Sequence, residues 1–247
     1  MRVDGDGMVM GNPDAPIKIE EFGAFTCGHC AKFTQDSHEE LKRDFVDTGR
    51  VSYKLTPFML HPVDAIAGAI VKCTGPDRFF PLADATFIEH EAFIAGASKP
   101  QPGIEEAMKL PPEQRFTALA KGWGIDQFYQ QRGVPAATIQ QCLAKVQKAT
   151  EAQKKSWLEG PTAERARKIA AGTGLAALMR ARGYTQAQLD AALDSEVAQA
   201  ELTGMTNIGR SADHVEGTPS FFINGRNAEV TAWPALKSKL DLALKAA

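Results

Sequence analysis

No apolar run in this sequence comes near the ~20 residues that a bilayer-spanning helix requires. The longest, such as Ala65 to Val71, are far shorter, so a transmembrane span is excluded. The chain also has little charge bias. Lys and Arg number 28 against 30 Asp and Glu, giving a formal charge of -2 with no long run of either sign. Neither a nucleic acid nor an anionic membrane is therefore expected as the main partner. No secretory leader is expected within this sequence, since Met1 to Gly7 is polar and acidic, where such a leader needs roughly 7 or more consecutive apolar residues. If the protein is exported, its signal peptide has been removed, and its compartment must be argued from cysteine usage. What is present, 247 residues at 44% hydrophobic and 23% charged, is the composition of an ordinary globular protein and excludes disorder or a collagen-like repeat. The length permits one domain with a large insertion or two small domains.

Cysteine is scarce, and its placement is informative. Of Cys27, Cys30, Cys73 and Cys142, only the first two are close, as Cys27-Gly28-His29-Cys30. A structural zinc site draws on two close ligand pairs, and neither Cys73 nor Cys142 has a Cys or His two to four residues away, so no metal is expected. The flanks then separate a redox pair from a chance occurrence. Ile17 to Phe25 is a β-type run after the turn signal Asn12-Pro13-Asp14-Ala15-Pro16, and reads as a buried strand. Beyond the pair, Phe33, Leu41 and Phe45 recur at multiples of four up to a stop at Thr48-Gly49, which is helical periodicity.

Cys27 is thus expected at a helix N-terminus, where unpaired backbone N–H groups and the helix dipole stabilise a thiolate. A dithiol catalyst needs one ionised cysteine open to attack and a second that resolves the mixed disulfide. Cys27 suits the first role. Cys30, about one helical turn on and more covered, suits the second. His29 between them is either a tunable positive charge favouring the thiolate or a solvated residue.

Val51 to Pro57 reads as a further strand, and Phe221 to Val230 as a hairpin around Asn224-Gly225. Leu236, Leu240 and Leu244 stripe a final helix starting near Thr231, with Pro234 in its first turn. Residues 62–212 hold many helical periods and no convincing strand. Within them, Gly122, Gly124, Arg132, Gly133, Ala137 and Leu143 recur at an offset of 50 as Gly172, Gly174, Arg182, Gly183, Ala187 and Leu193. Six identities over the 22 aligned positions indicate an internal repeat, 122–143 and 172–193. Each copy reads as a short helix, an Arg-Gly turn and a longer helix.

Phe25-Thr26-Cys27-Gly28-His29-Cys30 after a strand, together with Gly217-Thr218-Pro219-Ser220-Phe221-Phe222-Ile223-Asn224-Gly225, resembles the DsbA family of thiol:disulfide oxidoreductases, in particular its α-proteobacterial branch. The resemblance covers residues 8 to 95 and 210 to 245 well, and the middle less closely. It implies an α/β thioredoxin fold, a central mixed sheet flanked by helices, built from 1–61 and 213–247 with an all-helical insertion over 62–212. It implies a cis Thr218-Pro219 bond opposite the cysteines, against the alternative of a trans proline opening a strand. Thr218, Pro219 and Gly28 would then present backbone to an extended substrate segment. Glu21 shares a strand face with Ile17 and Ile19. In thioredoxin-like proteins that position carries a buried acid which moves the proton of the buried cysteine, the alternative here being a solvated Glu. A structural disulfide between Cys73 and Cys142 is expected from the same branch, from their even number and from their apolar helical segments, the alternative being two buried thiols.

The function so implied is disulfide introduction into exported proteins, with no cofactor beyond the redox-active Cys27–Cys30 pair. The expected substrates are reduced or unfolded proteins, the expected reoxidant is a membrane quinone-linked, DsbB-like partner, and the expected place is the periplasm, with the chain a monomer. One departure bears on strength: Gly28-His29 is similar to the dipeptide of protein disulfide isomerase, whereas many DsbA proteins carry Pro-His. Potentials of such proteins span about -120 to -180 mV. Isomerase, reductase and a thioredoxin-fold binding module stand as alternatives. His38, His61, His90 and His214 are read as structural or exposed, and Met8, Met10, Phe79 and Phe80 as core.

Overall fold

The computed structural model describes residues 1–4, 7–97, 106–107, 109–158, 185–188, 215 and 217–246. They fall into two compact units, Met1–Gln147 with Gly217–Ala247, and Lys148–Glu216.

The first unit is organised by β3 (Ile17–Gly23) and β4 (Val51–Pro57), which run parallel with Ile17 beside Val51 and Glu21 beside Leu55. Period-two alternation puts Ile17, Ile19, Glu21, Val51, Tyr53 and Leu55 on one face. β5 (Ser220–Ile223) pairs antiparallel with β3, setting Phe221 opposite Glu21, and turns through Asn224-Gly225 into β6 (Arg226–Asn227). On the other side, β2 (Gly7–Met10) pairs antiparallel with β4, and β1 (Arg2–Asp4) with β2. The six-stranded order is β1-β2-β4-β3-β5-β6. The first two strands are absent from the sequence reading because Met1 to Gly7 carries no β-type run; pairing with β4 supplies what local propensity does not. Met8 is core and Met10 is half-buried against it.

Parallel β3 and β4 need a crossover, and the chain between them supplies α1 (Gly28–Glu40), extended by a π-helical turn over Leu41–Val46. Phe33 of α1 stacks on Phe221 at 4.4 Å, so α1 lies on the face that carries Glu21. After β4 come α2 (Pro62–Cys73), α3 (Pro76–Ile88), α4 (His90–Ala97), α5 (Pro112–Gly122), α6 (Ile125–Gln131) and α7 (Ala136–Leu158). α3 covers the same sheet face, with Phe80 on Tyr53 and Phe87 on Phe25. The final helix α8 (Trp233–Ala246) is tied to α1 by the Trp233 indole donating to Glu40 at 2.7 Å.

The helices over 62–147 consequently belong to the same unit as the sheet, and the division falls after Gln147 instead of after residue 61. The reason is burial: α3 supplies apolar area that the sheet face cannot leave wet. In the first repeat copy α6 is followed by Arg132-Gly133 and then α7. Gly124 and Gly133 sit at φ +68° and +76°, a region other residues enter at a cost, which accounts for glycine at these two positions. The second copy, 172–193, lies outside the described residues apart from 185–188. Those belong to the second unit, where Thr185 and Gln188 cap each other's backbone N–H groups at 3.3 and 2.9 Å. Among the described residues, no helix is long and apolar enough to cross a membrane.

Candidate active site

β3 ends at Gly23, two residues earlier than the sequence run suggests, and the chain turns through Phe25 and Thr26 so that Cys27 becomes the N-cap of α1. Its N–H donates to the Ala24 carbonyl at 3.0 Å and its own carbonyl accepts from Ala31 N–H at 3.1 Å. No side chain caps this helix. Its first N–H groups are left for a charge at the Cys27 sulfur.

Across from it, Thr218-Pro219 is cis, and Cys27 Sγ, in its thiol form, donates to the Thr218 carbonyl at 3.2 Å. Cys27 exposes 9% of its surface and Cys30 none. Cys27 is thus less open than the sequence reading expects of a nucleophile, because the Thr218 segment lies against its sulfur. Gly28 and His29 are exposed, and there is open space beside the Gly28 Cα.

The electrostatics separate the two sulfurs. The hydrogen bond from Cys30 chiefly, then the Thr218 side chain and the N–H groups of Cys30 and His29, bring the Cys27 thiol from 9.0 down to about 4 against its partial burial. The Thr218 hydroxyl is buried and makes no direct hydrogen bond among the described residues. Burial pushes the Cys30 thiol far the other way, with the Cys27 bond and the negative charges of Glu21 and Cys27 adding to it. One sulfur is held as thiolate and its neighbour as thiol.

Glu21 lies beneath the pair, fully buried on β3. Burial raises its carboxyl from 4.5 to about 8, the Tyr53 hydrogen bond opposes that rise, and the charges of Asp84 and Cys27 add to it. The Tyr53 hydroxyl donates to Glu21 Oε2, while Oε1 has no partner. A Cβ at Gly23 would meet that Oε1 at 2.9 Å and Leu55 at 3.2 Å, so the strand must end on glycine for the carboxyl to fit. A buried carboxyl that keeps its proton to about pH 8 and whose charge is felt at Cys30 is suited to exchanging a proton with it.

Two further residues of the site, Tyr53 and Asp64, carry no signal in the sequence that ties them to the cysteines. Tyr53 follows from extending the β3 face to β4, which needs the parallel register. Asp64 sits one turn into α2, three residues after the N-cap His61, as half of a capping box. The capping spacing is readable in the sequence; the hydrogen bonds that the Asp64 carboxylate accepts from the Thr26 N–H and hydroxyl are not. Of the remaining histidines, His61 caps α2, His38 pairs with Asp84 at 3.3 Å and His90 is buried with Nε2 unpartnered, while His214 lies outside the described residues. Phe79 and Phe80 are core.

Cys73 and Cys142 are bonded to each other, joining the end of α2 to α7 with Cα atoms 5.6 Å apart. Among the described residues, no three His, Cys, Asp or Glu side chains cluster closely enough to hold a metal ion.

A family model described as thioredoxin matches residues 4–119 and 124–241. A Rickettsia prowazekii protein named a protein-disulfide oxidoreductase is 22% identical over 243 residues, which are 98% of this chain and 63% of that protein. The chain therefore spans less than two thirds of that curated relative. In fold, it is similar to the crystal structure of a protein-disulfide isomerase from Novosphingobium aromaticivorans, with a TM-score of 0.66 at 21% identity over 98% of this chain and 99% of that one. The α-DsbA1 structure from Wolbachia pipientis aligns with a TM-score of 0.53 at 14% identity, covering 99% of this chain and 94% of that one.

Proposed function

Since the chain belongs to the thioredoxin family, we propose that it is a thiol:disulfide oxidoreductase of DsbA type that donates the Cys27–Cys30 disulfide to reduced or unfolded exported proteins. The observation that carries this reading is the split between its sulfurs, Cys27 drawn down to about 4 and Cys30 pushed up beside Glu21. A low-pKa thiol leaves readily, so a stabilised Cys27 thiolate makes donation downhill.

In the reaction, a client thiolate attacks Cys27 of the enzyme disulfide, forming a client–Cys27 bond and releasing Cys30 as thiolate. Cys30 then takes the proton that Glu21 holds. A second client thiolate attacks the client sulfur of the mixed disulfide and expels the Cys27 thiolate. The client loses two electrons, the enzyme pair gains them, and solvent restores the proton to Glu21. No cofactor other than the cysteine pair takes part. Thr218, Pro219 and Gly28 line the approach to Cys27, where backbone pairing accepts many client sequences.

A disulfide between Cys73 and Cys142 is hard to maintain in a reducing cytosol, which supports a periplasmic location. The electrons then pass to a membrane quinone-linked, DsbB-like partner, and the enzyme works as a monomer. The test is the reduction potential, together with the rate at which oxidised protein restores activity to a reduced client. A value between about -120 and -180 mV is expected, and one below about -250 mV would assign the chain to reductants instead. Alkylation of the reduced protein should modify Cys27 before Cys30.

A further inference from the structure

The α1 N-terminus must be held in place, yet its N-cap has no capping side chain. A capping oxygen there would compete with the Cys27 sulfur for the same N–H groups. The grip comes from the residue before it. Thr26 N–H donates to Asp64 Oδ1 at 2.8 Å, and the Thr26 hydroxyl donates to Oδ2 at 2.9 Å. Oδ2 also accepts from Leu60 N–H at 3.0 Å and His61 N–H at 2.7 Å. Asp64 itself is 2% exposed.

Capping α2 needs only the bond to His61 N–H. The two bonds to Thr26, 38 residues away in sequence, serve something else. They join the β4–α2 connection to the residue preceding the nucleophile, so that carboxylate, Thr26 and Cys27 form one continuous linkage ending at the 3.2 Å contact of Sγ with the Thr218 carbonyl. Buried charge-assisted bonds of this number are strong and directional.

We infer that Asp64 is a positioning residue for the redox reaction, clamping Thr26 so that the Cys27 sulfur is held at the free N–H groups of α1. This rests on the redox reading of the Cys27–Cys30 pair given above. The clamp acts on backbone direction. Without it the sulfur samples rotamers that miss its donors, and the thiolate loses its stabilisation. In Asp64→Asn one carboxylate oxygen becomes an NH2 group, which cannot accept from the N–H groups it faces. Thr26→Val removes only the hydroxyl bond.

The measurement is the ultraviolet absorbance of the thiolate against pH in the full chain with the site pair reduced, alongside the rate of client oxidation and the thermal midpoint. Asp64→Asn is expected to raise the Cys27 titration midpoint by about one unit or more, a tenfold smaller thiolate fraction below it, and Thr26→Val to raise it by less. Ile70→Ala, which empties a fully buried position on the same helix, should lower the thermal midpoint and leave the titration in place. A titration that does not move in Asp64→Asn or in Thr26→Val would overturn the inference, as would an equal shift in Ile70→Ala, since the effect would then be general loosening. If Asp64→Asn does not fold, Thr26→Val decides. An ordinary, unshifted Cys27 thiol in the parent protein would overturn the redox reading and this inference with it. An acidic parent thiol indifferent to both variants removes only the role of Asp64.

Discussion

Replacing Glu21 by Gln should flatten the dependence of stability on pH, and the size of the effect follows from burial. The folded protein holds the Glu21 proton up to about pH 8, whereas the unfolded chain releases it near 4.5. Between those values the native state binds more protons than the unfolded one, so stability falls as pH rises and levels off above the folded value. The full span is 3.5 units (8 minus 4.5), which converts to about 5 kcal/mol; from about pH 5 to about pH 8 the loss is about 3 to 4 kcal/mol. Cys27 contributes with the opposite sign. Its thiol falls from 9.0 to about 4 on folding, a contribution present above the unfolded value and lost as pH falls towards the folded one, so the parent curve alone is ambiguous. The difference between parent and Glu21→Gln removes that contribution. Urea unfolding at steps across that range, with the site pair reduced, should find the variant gaining on the parent by the stated amount towards high pH. The Gln amide also leaves a buried donor unsatisfied at a pH-independent cost of about 1–3 kcal/mol, so the slopes decide and the offset does not. Parallel curves would mean that Glu21 is ionised in the folded protein, and would refute the proton-holding role.

Tyr53→Phe removes the bond that opposes the rise of Glu21; the pH profile for formation of the mixed disulfide from the oxidised enzyme should move upward, and an unmoved profile would detach Tyr53 from the proton path. Cys30→Ser, mixed with clients that already carry a disulfide, should accumulate mixed disulfides on non-reducing gels, because Cys27 attacks the client disulfide and no Cys30 thiol follows to release it; Cys27→Ser should not, and accumulation with Cys27→Ser would reverse the roles. Replacing Cys73 and Cys142 together by Ala opens a closure of 69 residues, with an expected loss of about 4 kcal/mol in the chain-entropy treatment. Equal denaturation midpoints for that variant and its parent would mean that the bridge does not constrain the unfolded chain.

The placement of the cysteine pair was legible in the sequence because it is local. A strand followed by Cys27-Gly28-His29-Cys30 and a helical period puts one sulfur at a helix N-terminus and the other one turn on, and neither placement needs knowledge of the rest of the molecule. The burial of Glu21 was half legible. Alternation puts it on the face of Ile17 and Ile19, but whether that face is wet depends on α1 and α3 lying over it.

What the sequence by itself determined is the identity and spacing of the paired cysteines and the strand-to-helix turn that carries them. Tertiary structure decided everything set by contacts distant along the chain. The β1–β2 hairpin forms because β4 offers an edge, not because Arg2 to Met10 favours extended structure on its own. The helices to Gln147 join the sheet's unit because its faces need cover. Tyr53 meets Glu21 only through the parallel register of β3 and β4, and Thr26 meets Asp64 only where α2 begins beside the turn into α1. Periodicity along a chain specifies which way a side chain faces; which distant residue it faces is set by how the elements pack.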